Sequence, residues 1–188
     1  MGFTVPEVDK TLAPYAEKSF KKYKKEFLEW HDGADEDKAE EYATEKVRRE
    51  FEQGWQGIEY KLNTVGSSRG DYPFVTVSIG LGTSKFEKMC SITLLNVHAK
   101  GQGKKGFEKP VLFPKIVFLY DSKLHGEGCE CEDVFEAGVH CSSKAMYPDW
   151  LSLEPGSYVG DIYQKYGRVV SPMGKCKLAH IKRLEPCA

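Results

Sequence analysis

The sequence predicts an α/β fold: a partial parallel α/β barrel in the order β-α-β-α-β, set after two long helices. Three observations lead there. Apolar residues recur at three- to five-residue steps through most of the first sixty positions, the spacing of amphipathic helices. Two later runs, residues 74–79 and 111–120, are β-rich or nearly continuous in apolar residues, as strands covered on both faces are. Helical spacing returns between and after them, and strands separated by helix-length crossovers pair in parallel with right-handed connections.

Taken in order, Tyr15, Phe20, Tyr23 and Phe27 stand three to five residues apart in a lysine-rich background, enough for one amphipathic helix. The run His31-Asp32-Gly33-Ala34-Asp35 breaks it, with Gly33 favouring a turn and Asp35 placed to cap the second helix. Ala43, Val47, Phe51, Trp55, Ile58 and Leu62 then draw one apolar stripe, a helix packed on a sheet. After a turn rich in Gly and Ser, a strand starts at Phe74. Phe86, Met89, Cys90, Leu94 and Val97 return to helical spacing, ended by Gly101-Gln102-Gly103. The second strand carries Pro114, which signals a bulge or a later start. Residues 133–144 read as a helix with Val134, Ala137 and Cys141 inward, and Arg168-Val169-Val170-Ser171 as a short third strand. Closing a parallel barrel takes about eight strands, so three make an incomplete array.

Composition narrows the function classes. Lys plus Arg (27) nearly cancels Asp plus Glu (28), which gives no basic field for nucleic-acid phosphates or an anionic membrane. No stretch approaches the roughly 20 apolar residues of a membrane span, and the first ten residues lack the order of a signal peptide, so the expectation is a cytoplasmic protein. The six cysteines (Cys90, Cys129, Cys131, Cys141, Cys176 and Cys187) are too unevenly spaced for a secreted disulfide framework and are expected as thiols. Cys129, Cys131 and Cys141 lack the paired spacing of a zinc site, so no metal is expected on this chain.

Ligands of parallel α/β arrays gather at the carboxyl ends of the strands. Gly80-Leu81-Gly82-Thr83-Ser84 comes after the first strand; its glycines and hydroxyls could face a phosphate, and a helix cap explains them equally well. A free-standing nucleotide-binding module would rest on this loop alone. Ser171-Pro172-Met173-Gly174-Lys175-Cys176 comes after the third strand and makes Cys176 the candidate reactive thiol by position. His98, His125, His140 and His180 are scattered without a paired nucleophile, so no hydrolase triad can be argued.

Four motifs in register resemble the class III, anaerobic ribonucleoside-triphosphate reductases. They are Asn63-Thr64-Val65-Gly66-Ser67-Ser68-Arg69-Gly70-Asp71-Tyr72-Pro73-Phe74, then Phe113-Pro114-Lys115, then Ser143-Lys144-Ala145-Met146-Tyr147-Pro148-Asp149, and Ser171-Pro172-Met173-Gly174. The resemblance covers residues 10–174. It implies that residues 1–174 are an internal piece of a ten-stranded glycyl-radical-enzyme barrel, and it leaves residues 175–188 as a tail foreign to the family.

The resemblance implies reduction of ribonucleoside triphosphates to deoxyribonucleoside triphosphates by radical chemistry, the supply line of DNA replication. A glycyl radical, installed by an iron–sulfur activase using S-adenosylmethionine, oxidises a barrel cysteine whose thiyl abstracts the ribose 3′ hydrogen. Formate is the usual reductant, and nucleotide effectors (ATP among them) act allosterically. The family is homodimeric and keeps a zinc site near its radical loop. Partners implied are thus ribonucleoside triphosphates, effectors, the activase and the remaining reductase chain. Lys175 occupies the place of the family's thiyl cysteine, which makes Cys176 a displaced candidate. Ser67, Ser68, Arg69 and Gly70 form the candidate substrate or effector loop, near the barrel mouth, with Arg69 the anchor because a guanidinium holds a phosphate by two hydrogen bonds. Two functions stay open: part of a reductase, inactive as an isolated chain, or a non-catalytic remnant that folds partly or associates with a complete subunit. Unpaired strand edges would favour self-association.

Overall fold

In the computed structural model, residues 2–31, 35–66, 70, 73–167, 169, 172–173 and 177–178 are described. The chain runs β1 (Gly2–Val5), α1 (Val8–Trp30), α2 (Glu36–Thr64), β2 (Phe74–Ile79), α3 (Lys85–Lys100), β3 (Lys115–Tyr120), α4 (Ser122–His125), α5 (Glu132–Ala145), β4 (Asp149–Ser152) and α6 (Tyr158–Tyr166). A minimal antiparallel pair comes last, β5 (Pro172–Met173) with β6 (Lys177–Leu178). Strands β1 to β4 form one sheet in sequence order, and every neighbouring pair is parallel. The fold is therefore α/β with a partial parallel array, as the alternation of patterns predicts.

The helices obey local chemistry. Asp35 caps α2, its carboxylate accepting from the Asp37 amide, and Ser84 and Glu87 form a complete capping box on α3. Gly101 ends α3 at φ 74°, where a side chain would overlap the Lys109 carbonyl. Along α2, Ala43, Val47 and Trp55 are buried and Phe51 and Leu62 are half-buried, but Ile58 is exposed and Glu59 turns inward in its place. The stripe drifts by one position there because Glu59 has a buried partner, His98 on α3.

Three strand expectations need correction. β3 starts at Lys115 rather than residue 111, since Pro114 has no N–H to give a ladder. The array contains β1, ahead of the two long helices, where only helix was expected; four residues are too few to show a period. The strand after β3 is β4, Asp149–Ser152, whose sequence Asp-Trp-Leu-Ser looks like part of a loop. Of the expected strand at 168–171, only Val169 is described, and it packs with Leu119 and Val159 rather than in the parallel sheet.

The two sheet faces differ. Val75, Val77, Ile79, Ile116 and Phe118 point to the side of α3 and α5 and share one core with Trp55, Leu94, Leu95, Val134 and Cys141. Fully burying each such side chain contributes about 1.5–3 kcal/mol. The opposite face presents Thr76, Ser78, Val117 and Leu119; α6 lays Val159 and Tyr163 across its carboxyl half.

Candidate functional site

Because β1 to β4 are parallel, the turns after all four open on one side of the sheet. Residues that follow β1 and β3 converge on the loop after β2. Asp9, wholly buried in the first turn of α1, turns its Oδ2 into that loop and accepts from the amides of Gly80 (3.0 Å) and Gly82 (3.3 Å) and from the Ser91 hydroxyl (3.3 Å). Its Oδ1 accepts from the Lys10 amide at 2.9 Å. Burial pushes the Asp9 carboxyl above its ordinary value, and these hydrogen bonds only partly oppose the shift.

The carbonyls of the same loop are held from the β3 side. His125, buried in the one-turn α4, places Nε2 at 2.8 Å from the Gly80 carbonyl, and its Nδ1 accepts from the Asp121 amide at 3.1 Å. The Asp121 carbonyl oxygen lies 3.0 Å from the same Nδ1. The ring stacks on Tyr120 at 5.7 Å and meets Phe118 edge-on at 4.9 Å. Cys131 Sγ donates to the Gly82 carbonyl at 3.5 Å, and burial raises its thiol. Gly80 needs its φ of +115° and its missing side chain, since a Cβ there would stand 2.9 Å from the Leu119 carbonyl oxygen. The amides that could have faced a phosphate face Asp9 instead. Residues 80–84 are therefore a clamped corner and a helix cap, and the nucleotide-module reading loses its support.

A second polar cluster lies at the other end of the sheet, where α2 hands over to β2. Glu59 and His98 are both fully buried with 2.8 Å between Oε1 and Nδ1, and Gln102 donates to Glu59 Oε2 at 3.1 Å. One turn on, Asn63 uses both ends of its amide. Its Nδ2 donates to the carbonyls of Glu59 and Phe113, each at 2.7 Å, and its Oδ1 accepts from the amides of Leu112 (3.0 Å) and Phe113 (3.2 Å). The last turns of α2 are thus bolted to the segment that leads into β3.

A groove of about 670 Å³ lies elsewhere, between α2, α3 and α5. Of the four cations that line it, Arg48 is paired with Glu45 and Glu52 and Lys88 with Asp133, while Lys85 donates to the Thr44 hydroxyl. Among the described residues no three His, Cys, Asp or Glu side chains converge to hold a metal ion, and no helix is long and apolar enough to cross a membrane.

A family model described as anaerobic ribonucleoside-triphosphate reductase matches residues 2–181. The chain belongs to that family. Its sequence is 33% identical over 174 residues to the anaerobic ribonucleoside-triphosphate reductase of Escherichia coli strain K12, covering 92% of this chain and 23% of that protein. The reductase of Haemophilus influenzae is 32% identical over the same length and shares. That of Enterobacteria phage T4 is 34% identical over 152 residues, 80% of this chain and 24% of the relative. The chain thus spans about a quarter of the length of the curated relatives it matches.

Within this reductase segment, Gly70 is the expected site residue that the structure describes, at φ +80°, a conformation that suits glycine. Ser67, Ser68, Arg69 and Cys176 lie outside the described residues, as do Lys175 and most of the segment 175–188. The segment carrying Gly70 joins α2 to the amino end of β2, opposite the clamped corner at Gly80. The structure therefore does not bring the two candidate loops to one edge within the described residues. Sequence reasoning missed Asp9, His125, Asn63 and the Glu59–His98 pair. Asn63 alone carried a signal, as the first residue of a family motif.

Proposed function

We propose that this chain forms part of the catalytic barrel of an anaerobic ribonucleoside-triphosphate reductase, reducing ribonucleoside triphosphates to deoxyribonucleoside triphosphates by glycyl and thiyl radical chemistry. One observation carries the reading: the family match over residues 2–181 coincides with an all-parallel sheet that packs its larger core against α2, α3 and α5 and carries α6 on the opposite face. The 188-residue chain is inactive by itself in this reading. The remaining reductase chain supplies the glycyl radical loop and the zinc site, and the activase, S-adenosylmethionine, formate and nucleotide effectors act on the assembled, cytoplasmic homodimer. The loop bearing Ser67, Ser68, Arg69 and Gly70 answers to nucleotide, with Arg69 gripping phosphate. Cys176 is the displaced thiyl candidate.

Lys175, standing where the family has its thiyl cysteine, favours a second reading, a non-catalytic remnant. An anaerobic assay separates the two. The purified chain is incubated with activase, S-adenosylmethionine, formate and ribonucleoside triphosphates, with and without a separately expressed carboxyl-terminal piece of a family reductase. Deoxynucleotide formed only with the added piece is the expected result. Product from the chain alone would overturn the requirement for a partner chain, and none in either case would leave the remnant.

A further inference from the structure

We infer that Asn63 is a positioning residue that ties the stem of the 65–73 loop to the segment leading into β3, so that the two shift together. Three observations support it. The Asn63 amide makes four hydrogen bonds, three of them to residues 112 and 113, about fifty positions away in sequence. Asn63 is the penultimate residue of α2, and the next amide beyond the helix, that of Val65, closes the last turn onto the Lys61 carbonyl at 3.0 Å. The joint is braced one turn back by the buried Glu59 and by Gln102, which also reaches the Gln56 carbonyl at 3.4 Å.

Gln102 is itself bridged to Lys109 by two backbone hydrogen bonds, so helix end, hairpin and strand start form one continuous set of contacts. β3 then runs from this joint to Asp121 and His125, the residues that hold the Gly80 corner. A displacement of the loop stem therefore has a physical path to the carboxyl edge. The consequence for nucleotide selection rests on reading residues 65–73 as the nucleotide-responsive loop; the mechanical tie does not.

Backbone amide exchange on the 188-residue chain tests the tie first without nucleotide, comparing wild type, Asn63→Ala and Asn63→Asp. The aspartate keeps an acceptor for Leu112 and Phe113 and loses the two donated bonds, so it guards against a variant that simply unfolds. In Asn63→Ala, exchange should rise about tenfold at Leu112 and Phe113 and also at Val65, whose amide closes the last turn of α2, with Val77 and Leu94 unchanged; a factor of ten corresponds to about 1.4 kcal/mol of local opening. Asn63→Asp should loosen Val65 by a smaller factor. Faster exchange confined to Leu112 and Phe113, which lose their acceptor directly, would overturn the inference.

The second arm adds each deoxynucleoside triphosphate in turn. If one protects Val65 and Gly66 in wild type, it should protect Leu112 and Phe113 as well, and the alanine variant should keep the first effect and lose the second. That separation is one a merely structural role would not produce. Protection at both places in the variant would again overturn the tie. No response to any nucleotide in wild type would count against the nucleotide-loop reading, while the nucleotide-free comparison still decides the role of Asn63.

Discussion

Replacing Asp9 with alanine tests whether one buried carboxylate holds the carboxyl edge together. The change orphans the amides of Gly80 and Gly82, both buried, while the Ser91 hydroxyl can rotate to another acceptor. An unsatisfied buried donor costs about 1–3 kcal/mol. The longer Gly82 bond places the sum in the lower half of that range for two, about 3 kcal/mol. Asn at the same place keeps an oxygen for the two glycine amides and should cost about 1 kcal/mol. Urea unfolding monitored by circular dichroism reads both, as a lower midpoint at an unchanged slope.

A pH series sharpens the test. The folded state holds the Asp9 proton more tightly than the unfolded chain does, because burial raises its carboxyl above the ordinary 3.8. Its contribution to stability is thus complete below that value and is lost as pH rises through the raised one. The stability of wild type minus that of Asp9→Asn should accordingly fall as pH climbs above 3.8. Alanine within about 0.5 kcal/mol of wild type at neutral pH, the ordinary spread of surface substitutions, would refute the claim that this carboxylate organises the loop.

Two further outcomes concern the same corner and the core. Gly80→Ala should cost about 2–3 kcal/mol, from the positive φ and the overlap with the Leu119 carbonyl, and a thermal melt checks it. In native alkylation at mildly alkaline pH, half-buried Cys129 should react before Cys90, Cys131 and Cys141. Burial raises all three of those thiols, that of Cys141 to about 12. Peptide mapping reads the order, and early labelling of Cys90 would contradict the packing of α3 on the sheet.

Where the sequence was legible, a long pattern and its tertiary partner agreed. The α2 stripe as far as Trp55 and the apolar run of β2, buried on both faces, each mark an element long enough for its pattern to show. β1 and β4 were illegible because four residues hold two inward positions at most, and Asp149 and Trp150 are exposed on the outer strand. The polar clusters were hidden for another reason. Asp9 meets Gly80 across 71 positions, and His125 meets Gly80 across 45, so neither contact leaves a local spacing to read. Asn63 could be singled out through its motif, but the motif does not say that the amide faces Phe113.

The all-parallel sheet also sets a timetable for synthesis. Of these four strands β1 precedes the others, yet its ladder partner among the described residues is β2, with Gly2 opposite Phe74. At typical translation rates of about 5–20 residues per second, the chain between them takes roughly 4–14 seconds to appear. During that interval α1 and α2 can already close on each other as neighbours in sequence, while β1 waits as an unpaired strand of Gly-Phe-Thr-Val. A nascent chain stalled before residue 74 would therefore present a formed helical hairpin beside an unprotected β segment. Proteolysis of ribosome-bound intermediates should cut ahead of α1 until Phe74–Ile79 has emerged.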